Sequence, residues 1–280
     1  MATVCTGRIE TLLRERGPDG AGRLIVYLTA GDPSLEDTEK LLAAVDRGGA
    51  DLIELGVPFS DPIADGVVIQ RASERALRAG TTLSRVLARL PRWRQAVHAP
   101  IILFGYYNPV LQYGLERFAR DLAGAGAEGA LLVDLPPEEA EPCVAAMRSQ
   151  NLDLIFLASP TSSDERLELV SRFSTGFVYI VSVPGVTGER AVLSGAVAPL
   201  AARIRRFTNL PLAVGFGISS PEQVRQAQAL VEAAVVGSAL VRTIEESYRE
   251  HGGQAIERFV RWLISGTGVQ FTMETQRHKD

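Results

Sequence analysis

Short runs rich in Val, Ile, Leu and Ala recur along the chain, and between them lie longer stretches in which apolar residues return every three or four positions. The first pattern reads as buried strands and the second as amphipathic helices. Strands are expected at Leu24–Thr29, Asp51–Leu55, Ile101–Phe104, Ala130–Val133, Leu154–Leu157, Phe177–Val181, Leu212–Val214 and Ala233–Val236. Helical spacing is plain in Leu83-Val86-Leu87-Leu90 and in Leu167-Leu169-Val170-Phe173. Ser34, Ser163 and Ser220 stand where N-caps belong, and Glu36, Asp37, Glu165 and Glu222 put negative charge into first turns. Strands alternating with helices demand a parallel sheet joined by right-handed crossovers. About eight strands in a chain near the ~250 residues typical of that architecture favour an α/β fold, a (β/α)8 barrel, over an open doubly wound sheet. An extra helix carrying Ile9, Leu12 and Leu13 precedes the first strand and is placed to plug the barrel floor. No low-complexity linker divides the chain, so one barrel domain is expected over residues 1–264, with a frayed tail from Ser265 to Asp280 where apolar periodicity stops.

Composition narrows the partners. The 280 residues are 46% hydrophobic and carry a net charge of −4, which argues against nucleic acid or an anionic membrane as the main partner. No apolar run approaches the ~18–20 residues of a membrane span. Met1-Ala2-Thr3-Val4-Cys5 has neither a basic region nor a long apolar core, so it does not read as a secretory signal. Cys5 and Cys143 lack metal-ligand spacing and read as free thiols of a reducing, cytoplasmic compartment. His98, His251 and His278 stand apart from every motif below, so neither histidine chemistry nor a metal site is expected.

The candidate chemistry begins with two carboxylates. Glu54 ends the apolar run Asp51-Leu52-Ile53-Glu54-Leu55-Gly56, and Asp65 follows in the Pro- and Asp-rich segment Val57-Pro58-Phe59-Ser60-Asp61-Pro62-Ile63-Ala64-Asp65-Gly66. A carboxyl buried near a strand's end has a raised pKa and exchanges a proton near neutrality, whereas an acid on a polar loop stays ionised and steadies positive charge. Two acids in unequal surroundings suit acid–base catalysis. Three glycine clusters follow the last strands: Gly185-Val186-Thr187-Gly188, Gly215-Phe216-Gly217-Ile218-Ser219, and Gly237-Ser238. Glycine admits close approach of backbone N–H groups to an anion, and Gly237-Ser238 opens a helix whose dipole favours one. Each cluster alone is also ordinary turn chemistry; their shared position after strands six to eight matches a common phosphate site of barrels.

The segment from Glu54 to Gln70, together with these glycine clusters, resembles the tryptophan synthase α subunit family. Leu28-Thr29-Ala30-Gly31-Asp32-Pro33, Gly105-Tyr106-Tyr107-Asn108-Pro109, Asp134-Leu135-Pro136 and Pro160-Thr161-Ser162 resemble that family's first, third, fourth and fifth loops, and the likeness is expected to hold to about Arg242. The resemblance implies a (β/α)8 barrel that uses no cofactor and cleaves indole-3-glycerol phosphate to indole and glyceraldehyde 3-phosphate. It implies a pyridoxal-phosphate β subunit as partner in a heterotetramer. Glu54 matches the general acid–base group and Asp65 the carboxylate that accepts from the indole N–H. Tyr179 matches a tyrosine lining the indole pocket, and Thr187 a loop residue that bonds the second carboxylate on lid closure. Gly188, Gly215, Gly217, Gly237 and Ser238 match the phosphate-binding segments.

Several residues keep two readings. Glu54 is alternatively a structural ion-pair acid, and Tyr179 either packs inside the barrel or reaches the ligand. Asp61 reads as structural or partner-contacting turn chemistry, Asp134 as a loop-orienting acid, Asn108 as a turn or interface residue, and Arg203, Arg205 and Arg206 as a solvated helix end. Val67 stands where the family usually has proline after Asp65-Gly66, which is expected to loosen that loop. Ser182-Val183-Pro184 departs from the family's sixth loop and is expected to stiffen its hinge. Both loops signal to the β subunit in the family. A stand-alone lyase releasing free indole, a non-catalytic allosteric barrel and another phosphate-binding barrel enzyme are therefore the alternatives; retention of both Glu54 and Asp65 speaks against the last two.

Overall fold

Eight parallel strands close into a barrel in chain order, each paired with the next and the last with the first. The computed structural model describes residues 7–17, 20–181, 189–215 and 217–267; the expected tail from residue 268 onward, Cys5, His278, the Ser182-Val183-Pro184 hinge, Thr187 and Gly188 lie outside them. The strands are β1 (Arg23–Thr29), β2 (Leu52–Gly56), β3 (Ile101–Gly105), β4 (Gly129–Leu132), β5 (Asp153–Ala158), β6 (Val178–Val181), β7 (Leu212–Gly215) and β8 (Ala233–Val236). Around them run α1 (Arg8–Arg14), α2 (Leu35–Gly48), α3 (Val67–Arg78), α4 (Leu83–Arg94), α5 (Tyr107–Tyr113), α6 (Leu115–Gly124), α7 (Glu141–Ser149), α8 (Asp164–Phe173), α9 (Glu189–Ile204), α10 (Pro221–Gln228) and α11 (Ser238–Ser265). Every expected strand is present, with no end displaced by more than one residue.

Local chemistry sets the helix starts. Ser34 accepts from Asp37 N at 3.0 Å, Ser163 from Arg166 N at 3.3 Å and Ser220 from Gln223 N at 3.3 Å, so each N-cap satisfies an amide that the helix cannot. The period-two alternation of the strands divides the core. Ile53, Leu55, Ile101 and Leu103 pack outward under the helices, while Ile25, Leu52, Ile102, Leu131, Ile155 and Phe177 fill the barrel. Helix α1 closes the floor: Ile9 and Leu13 join the interior cluster, whereas Leu12, expected beside them, stays half-buried. Among the described residues no helix is long and apolar enough to cross a membrane.

A repeated device holds the floor. One of the first N–H groups of each odd strand donates to a side chain just ahead of the even strand that follows. Leu24 N donates to Asp51 at 2.8 Å, Ile101 N to Glu128 at 2.8 Å, Leu154 N to Thr175 at 2.9 Å and Leu212 N to Glu232 at 2.7 Å. Arginines complete the three acids: Arg23 on Asp51 at 2.8 Å, Arg94 and Arg8 on Glu128, and Arg205 on Glu232 at 2.6 Å. Arg205 and Arg206 are exposed, as the expected solvated helix end requires, yet both are ion-paired. Arg203 likewise donates to Asp164 at 2.7 Å and to the Ser162 carbonyl at 2.7 Å, and Arg206 to Asp164 at 3.0 Å. Their partners lie far off in sequence, where local spacing gives no signal.

The chain after Arg242, where the family likeness is expected to end, stays part of the barrel's outer layer. Helix α11 runs on to Ser265, broken at Gly252, where φ is 59°. Its second half buries Ile256, Phe259, Val260 and Leu263 in the same core as Leu41, Leu42 and Val45 of α2. The apolar spacing is therefore continuous with the barrel's outer layer, interrupted only by the kink.

Candidate active site

Strand β2 turns Glu54 inward because Leu52, two residues earlier, faces the barrel interior and Ile53 and Leu55 face the helices. The residue is 1% exposed, and its Oε1 has no hydrogen-bond partner among the described residues. An unpaired carboxylate in such surroundings is costly, so the group holds its proton instead. Burial pushes Glu54 up to about 8. No described residue forms an ion pair with this acid, against the ion-pair reading.

Asp65 is held differently. Its loop is tightened by Ile63 N to the Asp61 carbonyl at 2.8 Å and Asp65 N to the Pro62 carbonyl at 3.1 Å. Gln70, in the first turn of α3, donates to the Asp65 carbonyl at 2.7 Å. Tyr106, at the end of β3, donates its hydroxyl to Asp65 Oδ2 at 3.1 Å and accepts from Ala64 N at 3.1 Å, with Phe59 stacked on its ring. Asp65 is half-buried where a fully polar loop was expected. Burial pushes it up to about 6, against the pull of the Tyr106 hydroxyl, which favours the charged form. With 8 against 6, Glu54 is mostly protonated and Asp65 mostly ionised at pH 7.

Both acids line a cavity of about 240 Å³ whose walls are largely apolar: Ile69, Phe104, Val133, Leu157, Val181 and Val235, with Tyr27 and Tyr179. Tyr27 meets Phe104 edge to face at 5.1 Å. Tyr179 therefore both packs in the barrel and fronts the cavity, and burial keeps its phenol protonated. Two glycines make room for these rings. A Cβ at Gly56 would overlap the Tyr27 hydroxyl, and one at Gly215 the Tyr179 hydroxyl.

The same cavity touches Gly217, Gly237 and Ser238. Gly237 is the N-cap of α11, no side chain caps that helix, and its first turn holds no acidic residue. Among the described residues its amide groups and positive dipole end thus border the cavity without a capping side chain or first-turn acid, an arrangement that suits a bound phosphate. Of the residues singled out in the sequence, the structure brings Glu54, Asp65, Tyr179, Gly217, Gly237 and Ser238 onto one cavity, with Gly215 beneath Tyr179.

Sequence reasoning missed Tyr106, since Gly105-Tyr106-Tyr107 does not reveal which ring turns toward Asp65. It also missed Tyr27, Phe104, Val133, Leu157 and Val235. Each lies two residues beyond an interior strand position, so the alternation that found the strands would have found them. Asp134 orients a loop, accepting from Tyr107 N at 2.6 Å, and Asn108 lies in the first turn of α5. Asp61 accepts from the Ser60 hydroxyl at 2.5 Å. His98 bonds Asp46 away from the cavity. Cys143 is a buried free thiol pushed up to about 12 by burial. Among the described residues no His, Cys, Asp or Glu cluster is placed to hold a metal ion.

Comparison with known proteins agrees with this geometry. The sequence profile described as "Tryptophan synthase alpha chain" matches residues 15–263, which carries the likeness well past Arg242. The tryptophan synthase alpha chain of Solibacter usitatus is 57% identical over 248 residues, covering 88% of this chain and 93% of its own. That of Geotalea uraniireducens is 49% identical, covering 92% and 97%. Among solved structures, the alpha subunit of Legionella pneumophila superposes with a TM-score of 0.84 at 37% identity, covering 94% of this chain and all of its own. The tryptophan synthase complex of Pyrococcus furiosus gives 0.77 at 38%, covering 87% and 98%. An eight-stranded barrel with two unequal acids over one cavity, matched over nearly its whole length at such identity, belongs to the tryptophan synthase alpha chain family.

Proposed function

We propose that Glu54 and Asp65 perform the retro-aldol cleavage of indole-3-glycerol phosphate by which this chain, as a carbon–carbon lyase of tryptophan biosynthesis, makes indole and glyceraldehyde 3-phosphate. Protonated Glu54 gives its proton to indole C3, which generates an indolenine cation. Asp65, ionised, accepts from the ring N–H and steadies that charge. The bond between C3 and the glycerol chain then breaks while the Glu54 carboxylate removes the proton of the adjacent hydroxyl. Indole and an aldehyde leave, and Glu54 ends as it began. The apolar walls hold the indole ring, Tyr179 among them, and the phosphate sits on the backbone amides around Gly217, Gly237 and Ser238. Thr187 and Gly188 are assigned to the closing lid and the phosphate segment on the resemblance alone.

The observation that carries this reading is the buried Glu54 carboxyl, whose Oε1 is unpartnered among the described residues, facing the same cavity as Asp65. It is tested by supplying indole-3-glycerol phosphate to the purified chain, alone and with a β subunit, and quantifying indole. Indole under neither condition would contradict it.

We further propose a β subunit as partner, in an αβ assembly. A similar Pyrococcus furiosus protein was solved as a tryptophan synthase complex. Ile63 and Val67 on the Asp65 segment are 87% and 66% exposed, and Leu111 on α5 is 50% exposed. Tyr106 ties these two segments together through Ala64 and Asp65, so a partner covering the apolar side chains bears directly on Asp65.

A further inference from the structure

Arg75 does not line the cavity, yet its guanidinium joins three elements that do. Nε and Nη2 donate to the two oxygens of Asp32, each at 2.8 Å, and Nη1 donates to Glu245 Oε1 at 2.8 Å. Arg71, one turn earlier on α3, reaches the other Glu245 oxygen at 3.3 Å. Asp32 is 4% exposed in the loop after β1, the strand that carries Tyr27 to the cavity. Glu245 lies on α11, seven residues after Ser238 at its mouth. Helix α3 starts one residue after Gly66, directly behind Asp65, and grips the Asp65 carbonyl through Gln70.

A planar fork is needed for this task. Two parallel bonds fix orientation as well as distance, and the third donor points elsewhere in the same plane. A lysine ammonium keeps the charge but cannot span both carboxylates in fixed register. Only Gly66 separates Asp65 from α3, so a tilt of α3 moves the acid with little slack.

We propose that Arg75 is a positioning residue: by locking α3 to the loop after β1 and to α11, it sets the placement of the Asp65 carboxylate relative to the helix mouth at Ser238. The inference rests on the lyase assignment above and adds to it a residue that touches no substrate. The full-length chain is assayed as wild type, Arg75→Lys, Glu245→Gln and the double variant. For each, kcat and KM for indole-3-glycerol phosphate, the affinity for glycerol 3-phosphate, and circular dichroism are recorded. Because misplacement by an ångström costs up to ~100-fold, Arg75→Lys is expected to lose about 10- to 100-fold in kcat with KM and glycerol 3-phosphate affinity changed less than about threefold. Glu245→Gln is expected to lose about threefold in kcat, and the double variant no more than Arg75→Lys, because both residues act through one clamp.

Unchanged kcat per folded molecule, a loss confined to melting temperature, or losses that multiply in the double variant would overturn the inference. If Arg75→Lys does not fold, Glu245→Gln decides alone, since it leaves the Asp32 pair intact: reduced kcat supports the clamp and unchanged kcat overturns it. A wild type silent with and without a β subunit would overturn the lyase assignment and this inference with it. That outcome is distinct from an active wild type matched by its variants.

Discussion

Three acids at the barrel floor and two at its mouth live by opposite rules. At the floor, Asp51, Glu128 and Glu232 each accept a backbone N–H from an odd strand and face at least one arginine. At the mouth, among the described residues, Glu54 Oε1 has no partner and Asp65 has one tyrosine hydroxyl. These three floor acids each hold both a strand N–H and an arginine and so fix strand register, whereas Asp153, also at the floor, is pushed up to about 6 by burial. Glu54 is left unsatisfied in an apolar cavity, so it carries a proton that it can give away. The difference separates stability from chemistry within one residue type, as expected where barrels place catalysis at strand C-termini and conserve the opposite face for folding.

The most severe break in this contrast is Glu54→Gln. An amide cannot shuttle the proton, and indole formation is expected to fall about 10²–10⁴-fold. Circular dichroism should show the fold intact, because the floor is untouched. Asp65→Asn comes next. The amide still accepts a hydrogen bond but brings no charge to the indolenine, so kcat is expected to fall on the order of 100-fold, with KM moving much less. Steady-state kinetics showing the reverse pattern would make Asp65 a binding residue.

Glu232→Ala carries the comparison to the floor. It orphans the Leu212 N–H and leaves Arg205 only the Leu210 carbonyl, so denaturant unfolding should show a loss of about 1–3 kcal/mol while kcat stays at the wild-type value. A large drop in kcat there would mean that the two ends are not separable. Gly215→Ala drives a methyl into the Tyr179 hydroxyl, at an expected cost of about 1–2 kcal/mol. Adding Tyr179→Phe removes the obstructing oxygen and should return part of that stability in the same unfolding assay.

The smallest effect is a pH slope. Folded Glu54 releases its proton near 8, whereas an unfolded glutamate does so near 4.5. Between these values the native state binds the extra proton, so wild-type stability falls as pH rises. Glu54→Gln removes this dependence. From pH 6 to pH 7 the variant should gain about 1 kcal/mol on the wild type. Parallel stability curves would show that Glu54 is not desolvated.

Much of this was legible beforehand. Alternation of apolar runs and helical stripes revealed the strands within one residue, and the three serine caps stand where their spacing indicated. Glu54 was found because an acid ending an apolar strand is conspicuous. What escaped depends on contacts distant in sequence. Arg75 meets Asp32 across 43 residues and Glu245 across 170, and Tyr106 meets Asp65 across 41. Arg203, Arg205 and Arg206 read as a solvated helix end, and what that reading lacked is the acids they pair with, which lie far off in sequence. The family likeness past Arg242 also escaped notice, although it runs to residue 263 and the second half of α11, beyond the kink at Gly252, packs against α2.

The central claim is that Glu54 is a dry acid poised to donate. Carbon-13 labelling of glutamate carboxyls, with the Glu54 resonance assigned by its loss in Glu54→Gln, allows its titration to be followed directly in the ligand-free chain. Desolvation without a partner predicts a midpoint near 8. A midpoint in the ordinary carboxylate range, about 4–5, would show that Glu54 is solvated or paired, and would contradict its role as the proton donor.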